Sequence, residues 1–521
     1  MGYPGSMGLS VCLHRFVEGL RAPILCLLVL QPAQGALTGV QESSEQPPNL
    51  VVFLVDDLGW QDTSLAFGVS GERPQAHFRT PNLERLAREG MSLTQGYASA
   101  PVCTPTRTSL MTGMSPARSR ITYWTLRKDK DNSSKHPNLQ APPWRVNGLR
   151  AGETTLPALL SAAGYRTIHV GKSHLGALET AAADPRALGF EVNIAGHAAG
   201  APGSYYGVHQ FRSEARKGKP GRTVWDVPGL EPYHDQEVFL TEALSIEACR
   251  AVRDSVQAKQ PFYLQFNPYA VHTPIMSNAK YLAKYAGMDA REAAYASMVE
   301  GVDQALGALL ATLEKEGVAD NTLVVFTSDN GGMSALARGG ERHTHNAPLR
   351  SGKGAAYEGG VRVPWVVRWP GIVEAGSTRA EPVVTQDLFP TLLAAAGVGV
   401  PAEHAPKLDG IDLGPLMRGE HFAAVRPLVW HQPHFWGPTG PGIEPYTALR
   451  LGHEKLIWFH DGMRLELYDL EQDVGEAHDL AAAQPERVDA LAAVLGEWMR
   501  ERKVQRSLLK TSGVPVPWLD Q

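Results

Sequence analysis

Two apolar runs limit what this chain can fold into more than any other feature. Residues 49–55 read NLVVFLV and residues 322–327 read TLVVFT. Neither alternates polar with apolar, as a strand with one face in water does; such continuous runs fit parallel strands covered on both faces. The segments between them agree. Thr80-Pro81-Asn82 opens a helix with Leu83, Leu86 and Ala87 on one face, and a helix over 156–164 leads into a strand over 166–170. Residues 262–266 read as a strand and 292–313 as a long helix. Helices alternating with apolar strands predict an α/β fold, a large mixed, mostly parallel sheet flanked by helices. The 521 residues carry 49 basic and 54 acidic side chains, a formal net charge of −5 with no basic block, which gives no footing to a nucleic-acid partner.

The texture changes near residue 425. Short strand-like pieces at 427–431, 446–451, 455–459 and 466–469 predict a smaller C-terminal antiparallel sheet. Pro485 then opens a helix with Val488, Leu491, Val494, Leu495 and Trp498 along one stripe. This predicts a main domain over 49–420, an α+β subdomain over 421–505 and a tail over 506–521. At the other end, His14, Arg15 and Arg21 precede an apolar run over 22–30 and then the small residues Ala33, Gly35 and Ala36. That is a signal-peptide pattern over 1–36, too short to span a bilayer, followed by a polar linker over 37–48. It predicts export without a stable membrane span: periplasmic or extracellular in a bacterium, lysosomal or secreted in a eukaryote. Cys12 and Cys26 fall in the signal, leaving Cys103 and Cys249. Two cysteines are too few for a disulfide framework, although they could pair, and Cys249 reads as core within a helical pattern over 242–252.

Both apolar runs end in acid: Asp56-Asp57 after the first, Asp329-Asn330 after the second. Ligands of an open parallel sheet bind beyond the carboxyl ends of its strands, so both pairs are expected at one crevice. Three carboxylates and an amide oxygen make a hard, all-oxygen set suited to Ca²⁺ or Mg²⁺. Each pair alone also fits an ordinary strand-end turn.

Residues 101–113, PVCTPTRTSLMTG, carry Cys-x-Pro-x-Arg followed by Leu-Met-Thr-Gly. The stretch resembles the maturation motif of the type I sulfatases, within the alkaline phosphatase superfamily. Residues 164–174, GYRTIHVGKSH, are similar to that family's second signature, departing from it at Ser173. The Gly-Lys-Ser inside them is not a phosphate loop, because Arg166 stands where one needs glycine. Residues 267–274 (NPYAVHTP), 348–354 (PLRSGKG) and 357–364 (YEGGVRVP) resemble its histidine and lysine loops. Residues 467–470 (LYDL) and 476–480 (EAHDL) resemble its C-terminal subdomain.

The resemblance implies hydrolysis of sulfate monoesters by formylglycine, which a maturation enzyme makes from Cys103. It implies a cation, Ca²⁺ or Mg²⁺, held by Asp56, Asp57, Asp329, Asn330 and residue 103. It places Arg107 on the hydrated aldehyde, Lys172 and Lys353 on sulfate oxygens, and His174 at the nucleophile's orientation or second proton. His272, assisted by Lys353, becomes the acid for the leaving oxygen. The implied partner is a sulfated small molecule or glycan, sulfated carbohydrate first. His197, Tyr205, Tyr206, Trp225 and residues 431–436 are candidates for the subsite walls, though each also fits surface or core. A phosphonate or phosphodiester hydrolase of the same superfamily, and a catalytically dead glycan-binding relative, are the competing readings. The absence of a histidine-rich ligand set argues against a binuclear zinc phosphatase. Asn132-Ser133-Ser134 is a glycosylation sequon, meaningful only in a eukaryotic secretory pathway.

Overall fold

The computed structural model describes residues 46–68, 77–214, 221–422 and 425–520. The signal segment with Cys12 and Cys26, and most of the linker, lie outside them. Eight strands form the main sheet: β1 (Asn49–Val55), β2 (Met91–Leu93), β3 (Arg166–Gly171), β4 (Val192–Ile194), β5 (Phe262–Asn267), β6 (Thr322–Ser328), β7 (Val366–Arg368) and β8 (Ser377–Arg379). Their order is β8-β2-β7-β6-β1-β5-β3-β4. Only β7 runs against the rest, pairing antiparallel with β6 and β2, so the sheet is mixed and mostly parallel, as the apolar runs predict. β1 and β6 lie in register along their length, from Asn49 opposite Thr322 to Val55 opposite Ser328. That register brings the two acidic pairs to the same edge.

The side chains of β1 alternate between two cores. Val51, Phe53 and Val55 enter one with residues of α1 (Pro81–Arg88), α3 (Leu240–Gln257) and α4 (Ala290–Lys315). Leu50, Val52 and Leu54 enter the other with Leu110 and Met111 of α2 (Cys103–Thr112) and Leu388 to Leu393 of α5 (Leu388–Ala395). Helices therefore cover both faces, which is why neither run carries a polar alternation. Each such side chain, fully withdrawn from water, contributes about 1.5–3 kcal/mol. Cys249 is buried in α3 and Cys103 opens α2; both are free thiols and do not pair.

The C-terminal sheet is an antiparallel meander of β9 (Leu428–Gln432), β10 (Tyr446–Leu451), β11 (Glu454–Phe459) and β12 (Arg464–Asp469). One face is closed by α6 (Pro485–Glu501), where Val488, Leu491, Leu495 and Trp498 meet Leu449, Leu456 and Trp458. The other face sets Trp430, Ile457, Phe459 and Tyr468 against Tyr97, Tyr357 and Val361. This second contact ties the lysine-bearing loop over 348–364 to the small sheet. No helix among the described residues is long and apolar enough to cross a membrane.

Candidate active site

Asp56, Asp57, Asp329 and Asn330 are fully buried where β1 and β6 end. Asp57 turns in the left-handed region (φ +60°), and its main-chain N–H donates to Asp329 Oδ1 at 3.2 Å. Asn330 Nδ2 donates to Asp57 Oδ1 at 2.8 Å. A non-glycine residue held there costs about 1–3 kcal/mol and persists only where its surroundings fix it. His174, at φ +56°, is held in the same way.

Cys103 is the first residue of α2, and the preceding Val102 has no side-chain oxygen to cap the helix. The first-turn N–H groups and the positive end of the helix dipole therefore gather at residue 103, which favours negative charge there. Arg107, one turn further and fully buried, donates from Nε to Asp329 Oδ2 and from Nη1 to the Lys172 carbonyl, both at 2.7 Å. Lys172 follows Gly171, whose φ is +95° and whose Cβ, if it had one, would lie 2.0 Å from the Asn267 carbonyl oxygen. Glycine alone lets β3 turn this closely beside β5, and Lys172 N–H then donates to that same carbonyl at 2.7 Å.

The cations reach the acids directly. Lys172 Nζ stands 2.7 Å from Asp56 Oδ1 and 3.9 Å from Asp329 Oδ2. Lys353 Nζ lies 2.7 Å from Asp57 Oδ1 and 3.6 Å from Cys103 Sγ. His272 Nε2 is 3.6 Å from Asp57 Oδ2, with Nδ1 3.0 Å from the Thr273 carbonyl. His174 Nε2 is 2.7 Å from the Thr125 carbonyl, which can only accept, so Nε2 carries the proton and the buried Nδ1 keeps its lone pair.

Burial sets the titration of these groups. It raises Asp56 well above the usual carboxylate range, with Lys172 opposing. Burial acts on Asp57 too, but Lys353, His272 and Lys172 together outweigh it and hold that carboxyl below the usual range. The Cys103 thiol is pushed up by burial against Lys172 and Lys353. His272 is pushed down to about 3 by burial and Lys353, and burial and Lys172 hold His174 well below its ordinary value. Burial lowers Lys353, yet Asp57 and the neighbouring Cys103 and Asp56 raise it further, so it stays protonated.

A divalent cation fits this set. Asp56, Asp57, Cys103 and His272 each offer a ligand atom within 4.8 Å of the others. Asp56 Oδ2 and Asn330 Oδ1 are buried with no hydrogen-bond partner among the described residues, as is Arg107 Nη2. Asp329 stands outside that close grouping, its oxygens accepting from Asp57 N–H and Arg107. All the residues expected at the crevice thus meet there, with His272 nearer the ligand atoms than its expected role suggested.

Above the floor opens a cavity of about 310 Å³. Of the wall candidates, Trp225 and Trp436 line it. Tyr205 does not: it is buried, stacked on Phe239 at 5.2 Å, and donates to the Tyr269 and His272 carbonyls at 2.7 and 2.8 Å. It supports the histidine loop from behind. Tyr206 donates to the Ser277 carbonyl, and His197 gives its carbonyl to His174 N–H. His431 is buried between Thr447 and the Gln505 carbonyl, and His434 between Thr122 and Ser133. Sequence reasoning missed Trp124, Met333 and Leu336, which also line the cavity, as does Asn132 of the sequon, whose Nδ2 donates to the Trp124 carbonyl at 3.2 Å.

Solved structures share this architecture. Ps i-CgsB, determined both alone and in complex with k-i-k-neocarrahexaose, superposes with a TM-score of 0.71 at 28% identity over 87% of this chain and 93% of that one. The fold is alkaline phosphatase-like. The sulfatase family model matches residues 48–398, and that of N-sulphoglucosamine sulphohydrolase, C-terminal, matches residues 352–505. The chain belongs to the sulfatase family and is a sulfuric ester hydrolase. The N-acetylgalactosamine-6-sulfatase of Canis lupus familiaris is 31% identical over 498 residues, 90% of this chain and 87% of that protein. The steryl-sulfatase of Rattus norvegicus is 32% identical over 566 aligned positions, 91% of this chain and 92% of that protein.

Proposed function

We propose that the protein hydrolyses sulfate monoesters of carbohydrates, using formylglycine made from Cys103 by a maturation enzyme and a bound Ca²⁺ or Mg²⁺. The observation that carries this reading is the meeting of Cys103 Sγ, Lys353 Nζ and the Asp56 and Asp57 carboxylates in one buried pocket at the dipole end of α2. Asp56, Asp57, Asp329, Asn330 and residue 103 would hold the cation, with Asp329 fixed by Arg107. A divalent ion bound there would supply Lewis-acid stabilisation of charge on the sulfate oxygens and a lowered pKa for the attacking hydroxyl. The converted residue 103 supplies a geminal diol, one hydroxyl for attack on sulfur and the other to release sulfate as the aldehyde returns. A serine could attack but could not effect that release.

The remaining steps fall to the protein's own side chains. Lys172 and Lys353 bind the sulfate oxygens, and Arg107 positions residue 103. His174 Nδ1, whose lone pair is free, accepts the diol's second proton. His272 delivers a proton to the leaving oxygen with help from Lys353, since an anionic ester beside it restores the charge that favours imidazolium. Three carboxylates, Asp56, Asp57 and Asp329, face Arg107, Lys172 and Lys353. Loaded with a divalent cation, a monoester anion and one deprotonated hydroxyl, the floor is formally neutral while His272 is uncharged and carries one positive charge when His272 holds the proton it delivers, which limits the cost of burying so much charge.

Carbohydrate is favoured by Trp225 and Trp436 in the cavity, since sugar faces stack on indoles, and by the names of the relatives that act on or bind sugars. Residues 1–36 are read as an export signal, and residues 49–420 and 421–505 as catalytic domain and subdomain. The test is sulfate release from sulfated mono- and oligosaccharides, run beside a phosphodiester on the same preparation. Sulfate release that chelation stops and Ca²⁺ or Mg²⁺ restores is expected. Faster cleavage of the phosphodiester contradicts the reading.

A further inference from the structure

Among the described residues, the cavity over Cys103 is charged only at its base: Asp57, His174, His272 and Lys353 form the floor, and no other Lys, Arg, Asp or Glu of those residues lines the space above them. The walls are the half-buried indoles of Trp124, Trp225 and Trp436 with Met333 and Leu336, and their polar share comes from short neutral groups such as Asn132. Lys130 and Lys135, on the segment that carries Asn132, are exposed and do not line the cavity.

Trp436 is firmly seated. Gly354 lies beneath its ring at φ +87°, and a Cβ there would come within 2.3 Å of the ring carbon Cε3. Its carbonyl accepts from Tyr123 Oη and Ser134 Oγ, each at 3.3 Å. Gly354 directly follows Lys353, so the indole rests on the loop that carries the lysine between Asp57 and Cys103.

We propose that the ring bearing the cleaved sulfate is otherwise uncharged and lies with one face on Trp436, so that the substrate class is the monosulfated, otherwise neutral ring. This deepens the sulfatase reading and rests on it. A carboxylate or second sulfate on that ring would lose its hydration against indole and aliphatic walls that offer no cation among the described residues.

The test uses two aryl sulfates of one skeleton, 3-carbamoylphenyl and 3-carboxyphenyl sulfate, which differ in charge and little in shape. They are assayed on metal-loaded enzyme whose aldehyde content at residue 103 is measured by mass spectrometry. The expected result is a kcat/KM for the carbamoyl ester at least about 100-fold above that for the carboxylate at pH 7. Trp436→Lys, which puts a cation on the wall, is expected to narrow that ratio below about tenfold. Equal rates on the two esters with wild-type enzyme, or a preference for the carboxylate, overturn this inference alone. Failure of aldehyde-bearing enzyme to release sulfate from either ester and from sulfated mono- and oligosaccharides overturns the sulfatase chemistry proposed above and this inference with it, whereas release from the saccharides alone overturns this inference only. The wild-type ratio decides the matter even if the variant does not fold.

Discussion

Two clusters of buried charge lie on either side of the lysine-bearing loop, and their difference separates chemistry from architecture. At the carboxyl edge of the main sheet, Asp56, Asp57 and Asp329 meet Arg107, Lys172 and Lys353. Yet Asp56 Oδ2, Asn330 Oδ1 and Arg107 Nη2 remain without hydrogen-bond partners among the described residues. Behind the loop, Lys455 Nζ stands 2.9 Å from both Glu358 Oε1 and Glu476 Oε1. Glu358 Oε2 also accepts from Tyr97 Oη at 2.6 Å, and Glu476 Oε2 accepts from Glu358 N–H at 2.6 Å. Lys455 comes from the regular strand β11, but Glu476 (φ +51°) sits in the left-handed region as Asp57 and His174 do. Glu476 Oε1, although 2.9 Å from Lys455 Nζ, makes no well-directed hydrogen bond either; what separates the clusters is that the second fastens the small sheet to the loop around one shared lysine, while the first lies beside a cavity.

Substitutions test that contrast, and the largest effect belongs to the catalytic floor. Cys103→Ala and Cys103→Ser are expected to fold as wild type and to abolish sulfate release, checked by circular dichroism beside a sulfate assay; full activity in either would remove residue 103 from the mechanism. Lys353→Ala and Lys172→Ala should each lower kcat by about 10²–10³-fold, a loss of about 3–4 kcal/mol of transition-state stabilisation, read in steady-state kinetics. Lys455→Met should do the opposite. It leaves Glu358 and Glu476 buried without their cation and lowers the unfolding free energy by about 3–5 kcal/mol, while kcat/KM of the folded fraction changes less than about tenfold. Denaturant titration beside kinetics separates the two outcomes.

The smallest effect is a pH dependence. Burial, with Glu358 nearby, raises Glu476 from 4.5 to about 7 despite Lys455. Burial acts on Glu358 as well, but Lys455, Arg362 and Arg450 hold it down at about 2. A folded-state pKa above the unfolded value means that the fold favours the protonated acid. Glu476 therefore contributes its full stability below about pH 4.5 and loses it as pH rises through 7. Glu476→Gln should flatten the fall in stability between pH 5 and 8, seen in denaturation midpoints at both; an unchanged slope would assign that fall to other groups.

Much of the floor was legible because its residues follow local rules that sequence preserves. Acid pairs after apolar runs must lie at strand ends, and β1 beside β6 in register puts Asp57 next to Asp329. The stretch from Cys103 to Arg107 needed only one helical turn to bring both ends to that edge. The walls were not legible in the same way. Trp124, Trp225 and Trp436 come from distant segments and share no spacing, so only the closed fold shows which aromatics face the cavity. Tyr205 looked like a wall residue because sequence shows an aromatic but not the Phe239 ring that buries it. Glu358, Lys455 and Glu476 come from three distant segments, and nothing in their sequence neighbours signals that one lysine lies between two buried acids.

The account depends on residue 103 being an aldehyde in the working enzyme. Mass spectrometry of the tryptic peptide spanning residue 103, taken from a preparation of known specific activity co-expressed with a formylglycine-generating enzyme, measures that directly. The predicted result is formylglycine at position 103, in a proportion that rises and falls with sulfate release. A fully active preparation showing only unmodified cysteine there would contradict the account.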